Sequence, residues 1–191
     1  PENSVNQGLL MQRASEFLSN GQAVYDGLND YQDNLNLQVK EDVDRINEIG
    51  QQLKTVNDAI RKIEVGGFEN PNDLLDQRNK LIDELSSLAK ISYEEDIYGT
   101  VNVSIEGEPF VTGDSVYEIG LHLDNVTGFY TPFWPQNATY TLDADGKKNY
   151  NIDNAKVFNT AQPISSDLDS DIGGLKALIV ARGDHRADYT D

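Results

Sequence analysis

Apolar residues recur at steps of three and four from Ser4 to Ile63, through Val5, Leu9, Phe17, Val24, Leu28, Tyr31, Leu35, Val39 and Val43 to Ile46, Ile49, Leu53, Val56, Ile60 and Ile63. That is helical time. The second half is spaced like the seam of a coiled coil, with polar residues filling the other positions, so a narrow dry stripe runs along a long rod. Gly21, Gly27 and Gly50 interrupt the pattern, each at a cost of roughly 1 kcal/mol relative to alanine. The pattern predicts one long helix, or two collinear helices with an irregularity near Gly21 to Gly27. At about 1.5 Å per residue the rod approaches 90 Å. Arg61 and Lys62 suit the negative end of the helix dipole, and Gly66-Gly67 can close the helix in the left-handed conformation.

A second helix starts at Asn70, whose side chain suits the free N–H groups of a first turn. Pro71 fits the first helical position, and Asp73 places negative charge at the positive end. Leu74, Leu81, Leu85 and Leu88 then keep helical spacing, while Asp76 with Lys80 and Lys80 with Glu84 are charge pairs four apart on the outer face. Two helices joined by so short a loop lie antiparallel, which sets these leucines against Ile63, Val56, Leu53 and Ile49.

After Lys90 the period changes to two. Tyr98 to Ile105 alternates, Phe110-Val111 and Val116 to Ile119 follow, and Gly107, Gly113 and Gly120 punctuate the runs. Leu121-His122-Leu123 leads to a turn at Asp124-Asn125, and Asp143 to Lys148 separates Thr139–Leu142 from Tyr150–Ile152 as a hairpin does. Trp134, Phe133, Phe129 and Tyr130 are the expected core of this part, although Pro132 and Pro135 give the patch a loop-like character. Past Pro163, Ser165-Ser166-Asp167 can cap a last helix with Ile172, Leu175, Leu178, Ile179 and Ala181 as its apolar positions.

The fold class that follows is α+β: a long antiparallel helical hairpin plus a re-entrant C-terminal helix, with an inserted small antiparallel β domain. Residues 1–91 form the hairpin, completed by 165–191, and residues 92–164 are the insertion. An insertion of that kind is expected to add little to the core it interrupts.

The chain has 191 residues and a net charge of -18. Binding a phosphate backbone depends on Lys and Arg displacing counterions, so no nucleic-acid partner is expected, and an anionic membrane surface is disfavoured on the same ground. No apolar run approaches the roughly 20 residues of a spanning helix, so no membrane partner is expected either. Cysteine is absent, which removes disulfides and thiolate metal sites. The chain begins at Pro1 and ends in a polar run at Asp191, and reads as an excised fragment.

Candidate chemistry is thin. Asp167, Asp169 and Asp171 alternate as in a calcium loop, but Ile172 stands where glycine is needed and Leu178 where a bidentate glutamate is needed. Asp143, Asp145 and Gly146 fail the same test. Arg182-Gly183-Asp184 spells an adhesive tripeptide, yet Gly183 reads as a helix stop. His122 and His185 have no cysteine or H-E-x-x-H context. The sequons at Asn102, Asn125 and Asn137 read as surface turns and strands, and no nucleophile elbow, phosphate loop or dinucleotide fingerprint occurs. No catalytic, cofactor-binding or metal-ligating residue is assigned, no cofactor is expected, and the chain is not expected to be an enzyme.

Two stretches carry a family resemblance. Asn72 to Ser86, Asn-Asp-Leu-Leu-Asp-Gln-Arg-Asn-Lys-Leu-Ile-Asp-Glu-Leu-Ser, resembles the P-N-D-L-L-D-Q-R-D segment of the bacterial flagellar hook-associated protein 1 family, the first hook–filament junction protein, with its following apolar pair and E-L-S. Asp171 to Asp184 resembles that family's G-G-L-L-like helix ending in R-D, and Asn47 and Asn57 fit its I-N and L-N spacing. The resemblance covers residues 1–112 and 165–184. It implies a secreted structural component of the bacterial flagellum, located outside the cell and packed axially at the hook–filament junction. It also implies the flagellar hook protein, the second junction protein and copies of itself in the assembled ring as neighbours, and it marks the chain as a fragment lacking both termini. The alternative is an extracellular binding or sensory module on a helical stalk.

Overall fold

The computed structural model describes residues 2–66, 71–113, 115–160 and 173–187. Helix α1, Glu2–Gly66, runs for 65 residues without a break. Of the two expected arrangements this is the single long helix, without an irregularity near Gly21 to Gly27, and the reason is local: a Cβ at either glycine would meet nothing within 4 Å. Nothing packs against them to force a bend, and their cost of about 1 kcal/mol each is small beside the ladder of a helix this long. α1 also runs past Arg61 and Lys62 to Gly66, with no basic residue in its last turn; Arg61 donates instead to Asp58.

Helix α2, Asn72–Leu88, returns antiparallel along the second half of α1, as its stripe predicts, with Leu81, Ile82 and Leu85 buried. Ile49, Leu53 and Val56 are buried in the same core, with Leu74 and Leu88 partly buried against it; Ile63 is only half-buried. Pro71 O accepts hydrogen bonds from Leu74 N and Leu75 N, while the expected cap Asn70 and closing Gly67 lie outside the described residues. Helix α3, Gly173–Arg182, starts against the end of α2. A Cβ at Gly173 would sit 2.5 Å from Ala89 Cα and N, and its φ is +65°, so only glycine lets the two helix ends meet. The cap expected at Ser165-Ser166-Asp167 and the apolar Ile172 lie outside the described residues.

Between α2 and α3 the described residues form three small antiparallel sheets. The first orders β1 (Ile91–Glu95), β2 (Val101–Ile105) and β3 (Glu108–Val111) in sequence; β4 (Gly120–Leu123) pairs with β5 (Tyr130–Phe133), and β6 (Thr139–Leu142) with β7 (Lys148–Asn151). The loop-like reading of the Pro132 patch is corrected, because Pro132 pairs with Leu121 inside β5. A two-stranded sheet consists of edge strands, where a missing N–H is tolerated.

The core differs from the expectation of a self-contained β domain. Val101, Val103, Ile105, Phe110, Val111, Ile119, Trp134, Val157 and Phe158 lie in one continuous buried cluster with Val39 to Ile60 of α1, Leu81 and Leu85 of α2, and Leu175 and Ile179 of α3. β2 to β5 turn their buried side chains toward the helices, whereas β6 and β7 are almost wholly exposed and reach the rest through Tyr150, whose ring lies 5.1 Å from that of Phe133. β2 shows this in its alternation, since Val101, Val103 and Ile105 are buried while Asn102 and Ser104 are half-exposed.

Candidate assembly interface

Among the described residues, the body covers only the second half of α1. Leu35 is the first buried residue, and from Val5 to Asn34 the helix is almost wholly exposed. Its apolar residues are among the most exposed of the molecule: Leu10 is 71% exposed, Met11 75%, Phe17 76% and Leu18 70%, with Val24, Leu28 and Tyr31 each at 50% or more. These residues share one broad stripe, and a contiguous apolar patch of this size marks an interaction surface. The periodicity of residues 5–35 was legible, but nothing in it told which half of the rod the rest of the chain would cover.

The edge of the body is fastened to α1 just where the exposed half begins. Gln32 Nε2 donates to Arg182 O (2.9 Å) and His185 O (2.8 Å), while its Oε1 accepts from Ala187 N (3.0 Å). Arg182 is buried, donates from Nη1 to Asn36 Oδ1 (2.7 Å) and Tyr130 O (2.9 Å), and stacks 4.4 Å from the Phe129 ring. Burial holds its pKa below the ordinary arginine value. Arg186 stacks on the same ring at 4.7 Å, donates to Thr127 O, and pairs with Asp33. The first residue of the adhesive tripeptide is therefore a buried anchor, and Gly183 ends α3 at φ +78° with its N–H bonded to Ile179 O and Val180 O.

Three asparagines on α1, about three turns apart, hold the β layer to the helix. Asn36 donates to Gly128 O (2.9 Å) and accepts from Tyr130 N (2.8 Å). Asn47 bonds both main-chain groups of Ile119, at 2.9 and 2.8 Å, and Asn57 both of Val101, at 2.8 and 3.2 Å. Each amide presents one donor and one acceptor to a main-chain pair that no neighbouring strand could satisfy on the helix side. Arg78 does comparable work on α2: it is buried and donates to Gly99 O (2.6 Å) and Glu95 Oε2 (3.0 Å). The sequence marked Asn47, Asn57 and Arg78 as parts of family motifs; their partners, more than 15 residues away, were not readable.

The remaining candidates are dispersed. His122 lies in β4, and His185 follows α3. Asp143 Oδ1 accepts from Asp145 N and Lys147 N, and Asp124 Oδ1 from Val126 N and Thr127 N, so these acids close turns. The Thr127 and Val126 bonds hold the Asp124 carboxyl below the usual carboxylate range. Asp167, Asp169 and Asp171 lie outside the described residues, and among the described residues no group of three or more His, Asp or Glu side chains converges as a metal site would require. A shallow groove of about 310 Å³ between α1 and α2, lined by Gln51, Gln52, Thr55, Ala59, Leu74 and Gln77, holds neutral polar and apolar groups and one acid, Glu48. Among the described residues no helix is long and apolar enough to cross a membrane.

Comparison with known proteins places this geometry. A family model described as the helical domain of flagellar hook-associated protein FlgK matches residues 1–185. Flagellar hook-associated protein 1 of Escherichia coli (strain K12) is 31% identical over 94 residues, which are 48% of this chain and 17% of that protein. Its counterpart in Salmonella typhimurium gives the same figures. The matched stretch thus covers about a sixth of the length of these relatives. The structure of the flagellar hook junction protein FlgK from Burkholderia pseudomallei superposes with a TM-score of 0.59 at 20% identity, covering 84% of this chain and 25% of that one. At that identity the likeness speaks for the fold, an α+β arrangement of the kind the periodicities predict.

Proposed function

The chain belongs to the family described as the flagellar hook-associated protein FlgK helical domain, and from that premise we propose that it is a structural part of the bacterial flagellum. It serves in the hook–filament junction by packing helices along the axis, and it does so without catalysis. The observation that carries this reading is the long uncovered face of α1 on the family's fold: a helix of 65 residues, stiffened at one end by a shared core, offers its other end to neighbours. The same reading makes the protein an exported one that works outside the cell. Its neighbours are the hook protein, the second junction protein and other copies of itself. Residues 92–164 are, in this proposal, an insertion between the helical parts 1–91 and 165–191. The meeting of Gly173 with Ala89 supports it, since it brings the start of α3 against the end of α2, the helices that flank the inserted stretch.

The test is genetic. A strain lacking the full gene is expected to build hooks but no filaments and to lose filament subunits to the medium. Restoring the gene restores filaments, whereas a copy carrying Phe17→Asp and Leu18→Asp on the open face does not. Normal filaments in the deletion strain would overturn the junction reading.

A further inference from the structure

We propose that residues 183–187 form a strap, which closes over α1 at Gln32 and Asp33 and opens as one unit while the core of the body stays shut. The main chain leaves α3 at Gly183, and the residues from there to Ala187 contribute no side chain to the shared apolar core. Polar bonds hold them instead. The Gln32 amide grips the main chain, donating to His185 O and accepting from Ala187 N. Arg186 supplies the other attachment. Its Nε donates to Thr127 O (2.7 Å), its Nη1 pairs with Asp33, and its Nη2 lies 3.4 Å from where a Cβ on Gly128 would stand. One short stretch thereby spans α1 and the turn between β4 and β5.

The line between strap and body falls between two arginines that share a ring. Arg182 is buried and bonded to Asn36 Oδ1 and Tyr130 O, so it moves with α3 and the body. Arg186 and Asp33 both keep contact with solvent, and an ion pair so placed is weak and screened by salt. Phe129 stands at the boundary. It is 3% exposed yet lies outside the shared core, with the two guanidinium groups against its ring at 4.4 and 4.7 Å. Opening gives up the outer guanidinium and the Gln32 bonds to His185 and Ala187, and water takes over the freed polar groups. A segment held by a few polar bonds, with no side chain in the core, belongs to the low-stability end of a structure.

Closed, the strap fixes the direction in which the main chain leaves α3. Open, it releases that direction while α3, the strands and the shared core keep their places. The strap is independent of the junction reading, since its opening is measured on the isolated chain and the genetic test does not touch it.

Residue-resolved hydrogen exchange by NMR on this chain measures the opening. The Ala187 N–H and the Arg186 Nε–H are expected to share one opening equilibrium and to be protected at least about a hundredfold less than the N–H groups of Val43 and Ile46 in α1. Cross-responses then test whether the strap is one unit. Gln32→Ala removes only the grip on the main chain, yet is expected to speed exchange at Arg186 Nε as well as at Ala187 N by roughly tenfold. Asp33→Asn removes only the ion pair, yet is expected to speed exchange at Ala187 N severalfold. Both variants leave Val43 and Ile46 unchanged. Raising salt from about 0.05 to about 1 M is expected to speed Ala187 exchange in the parent and not in Asp33→Asn. An Ala187 N–H that exchanges as in an open chain would overturn the proposal, since the strap would never close. Protection at Ala187 equal to that at Val43, or lost together with it in Gln32→Ala, would overturn it too, because the segment would then belong to the core. So would variants that each affect only the bond they remove.

Discussion

At the scale of single residues, the structure depends on side chains that satisfy main-chain groups at the helix–sheet boundary. Asn57 is the clearest case, being buried and bonded to both the N–H and the C=O of Val101. Asn57→Ala removes two hydrogen bonds and leaves two buried groups without partners, so a loss of about 2–4 kcal/mol is expected from urea unfolding. A loss below about 1 kcal/mol would mean that water reaches Val101 in the variant. Glu106 supplies a pH-dependent counterpart. It sits at φ +52° in the two-residue turn between β2 and β3, and burial raises its pKa above 4.5, opposed by Lys176 and Lys90. A raised folded-state pKa means that the protonated form is favoured in the folded protein. Its stabilising contribution is complete below the unfolded value and is lost as pH rises through the folded one. Glu106→Gln keeps the backbone strain and removes the titration. It is expected to gain stability over the parent at pH 7 and to lose that advantage near pH 3, as read from unfolding midpoints. None of these roles was readable from the residues alone, because a polar residue amid helical polar positions looks the same whether it faces water or another strand.

At the scale of elements, legibility followed local chemistry. The β1–β2, β4–β5 and β6–β7 connections each begin with an aspartate that accepts main-chain bonds, Asp96, Asp124 and Asp143. Each ends near a glycine at positive φ, Gly99, Gly128 or Gly146. Turn signals of that kind act within five residues, so the turns at Asp124-Asn125 and at Asp143 to Lys148 could be placed in advance, whereas the alternation expected from Tyr98 begins only at Val101 and Tyr98 itself lies in the β1–β2 turn. The glycines of α1 were not so transparent, since propensity treats them alike and packing does not. A Cβ on Gly50 would lie 2.6 Å from Phe110 Cζ and 3.0 Å from Val116 Cγ1, whereas one on Gly27 would meet nothing within 4 Å. Gly27→Ala should therefore stabilise the helix by up to about 1 kcal/mol. Gly50→Ala should destabilise the protein by about 1–3 kcal/mol, because the ring and the strand behind it must shift. Thermal melts of the two variants moving in the same direction would show that β3 does not press on α1 as described.

For the whole molecule, the question is whether the inserted strands are a passenger or part of the frame. The period change after Lys90 marks where the strands begin, and the contact of Gly173 with Ala89 brings the helices on either side of them together. Those two facts alone would favour clean removal. The core argues the other way. Nine buried apolar side chains of the insertion, from Val101 to Phe158, lie in the same cluster as α1. A buried apolar side chain contributes roughly 1.5–3 kcal/mol, so their combined loss, before the entropy of the removed residues is set against it, is comparable to or larger than the roughly 5–15 kcal/mol by which a domain is ordinarily stable. Removal would also expose the side of α1 that Asn36, Asn47 and Asn57 now hold against the strands. Periodicity could not reveal this, since it reports which face of an element is apolar and not which element covers it. The full-length protein with residues 93–162 replaced by a short Gly-Ser linker is therefore expected to lose cooperative unfolding and to bind hydrophobic dyes. Hydrogen exchange should show α1 unprotected around Val39 to Ile60 as well as at the cut. If the shortened protein instead kept a sharp thermal transition and protected amides between Val39 and Ile60, α1, α2 and α3 would form a sufficient core, and the strands would be a passenger after all.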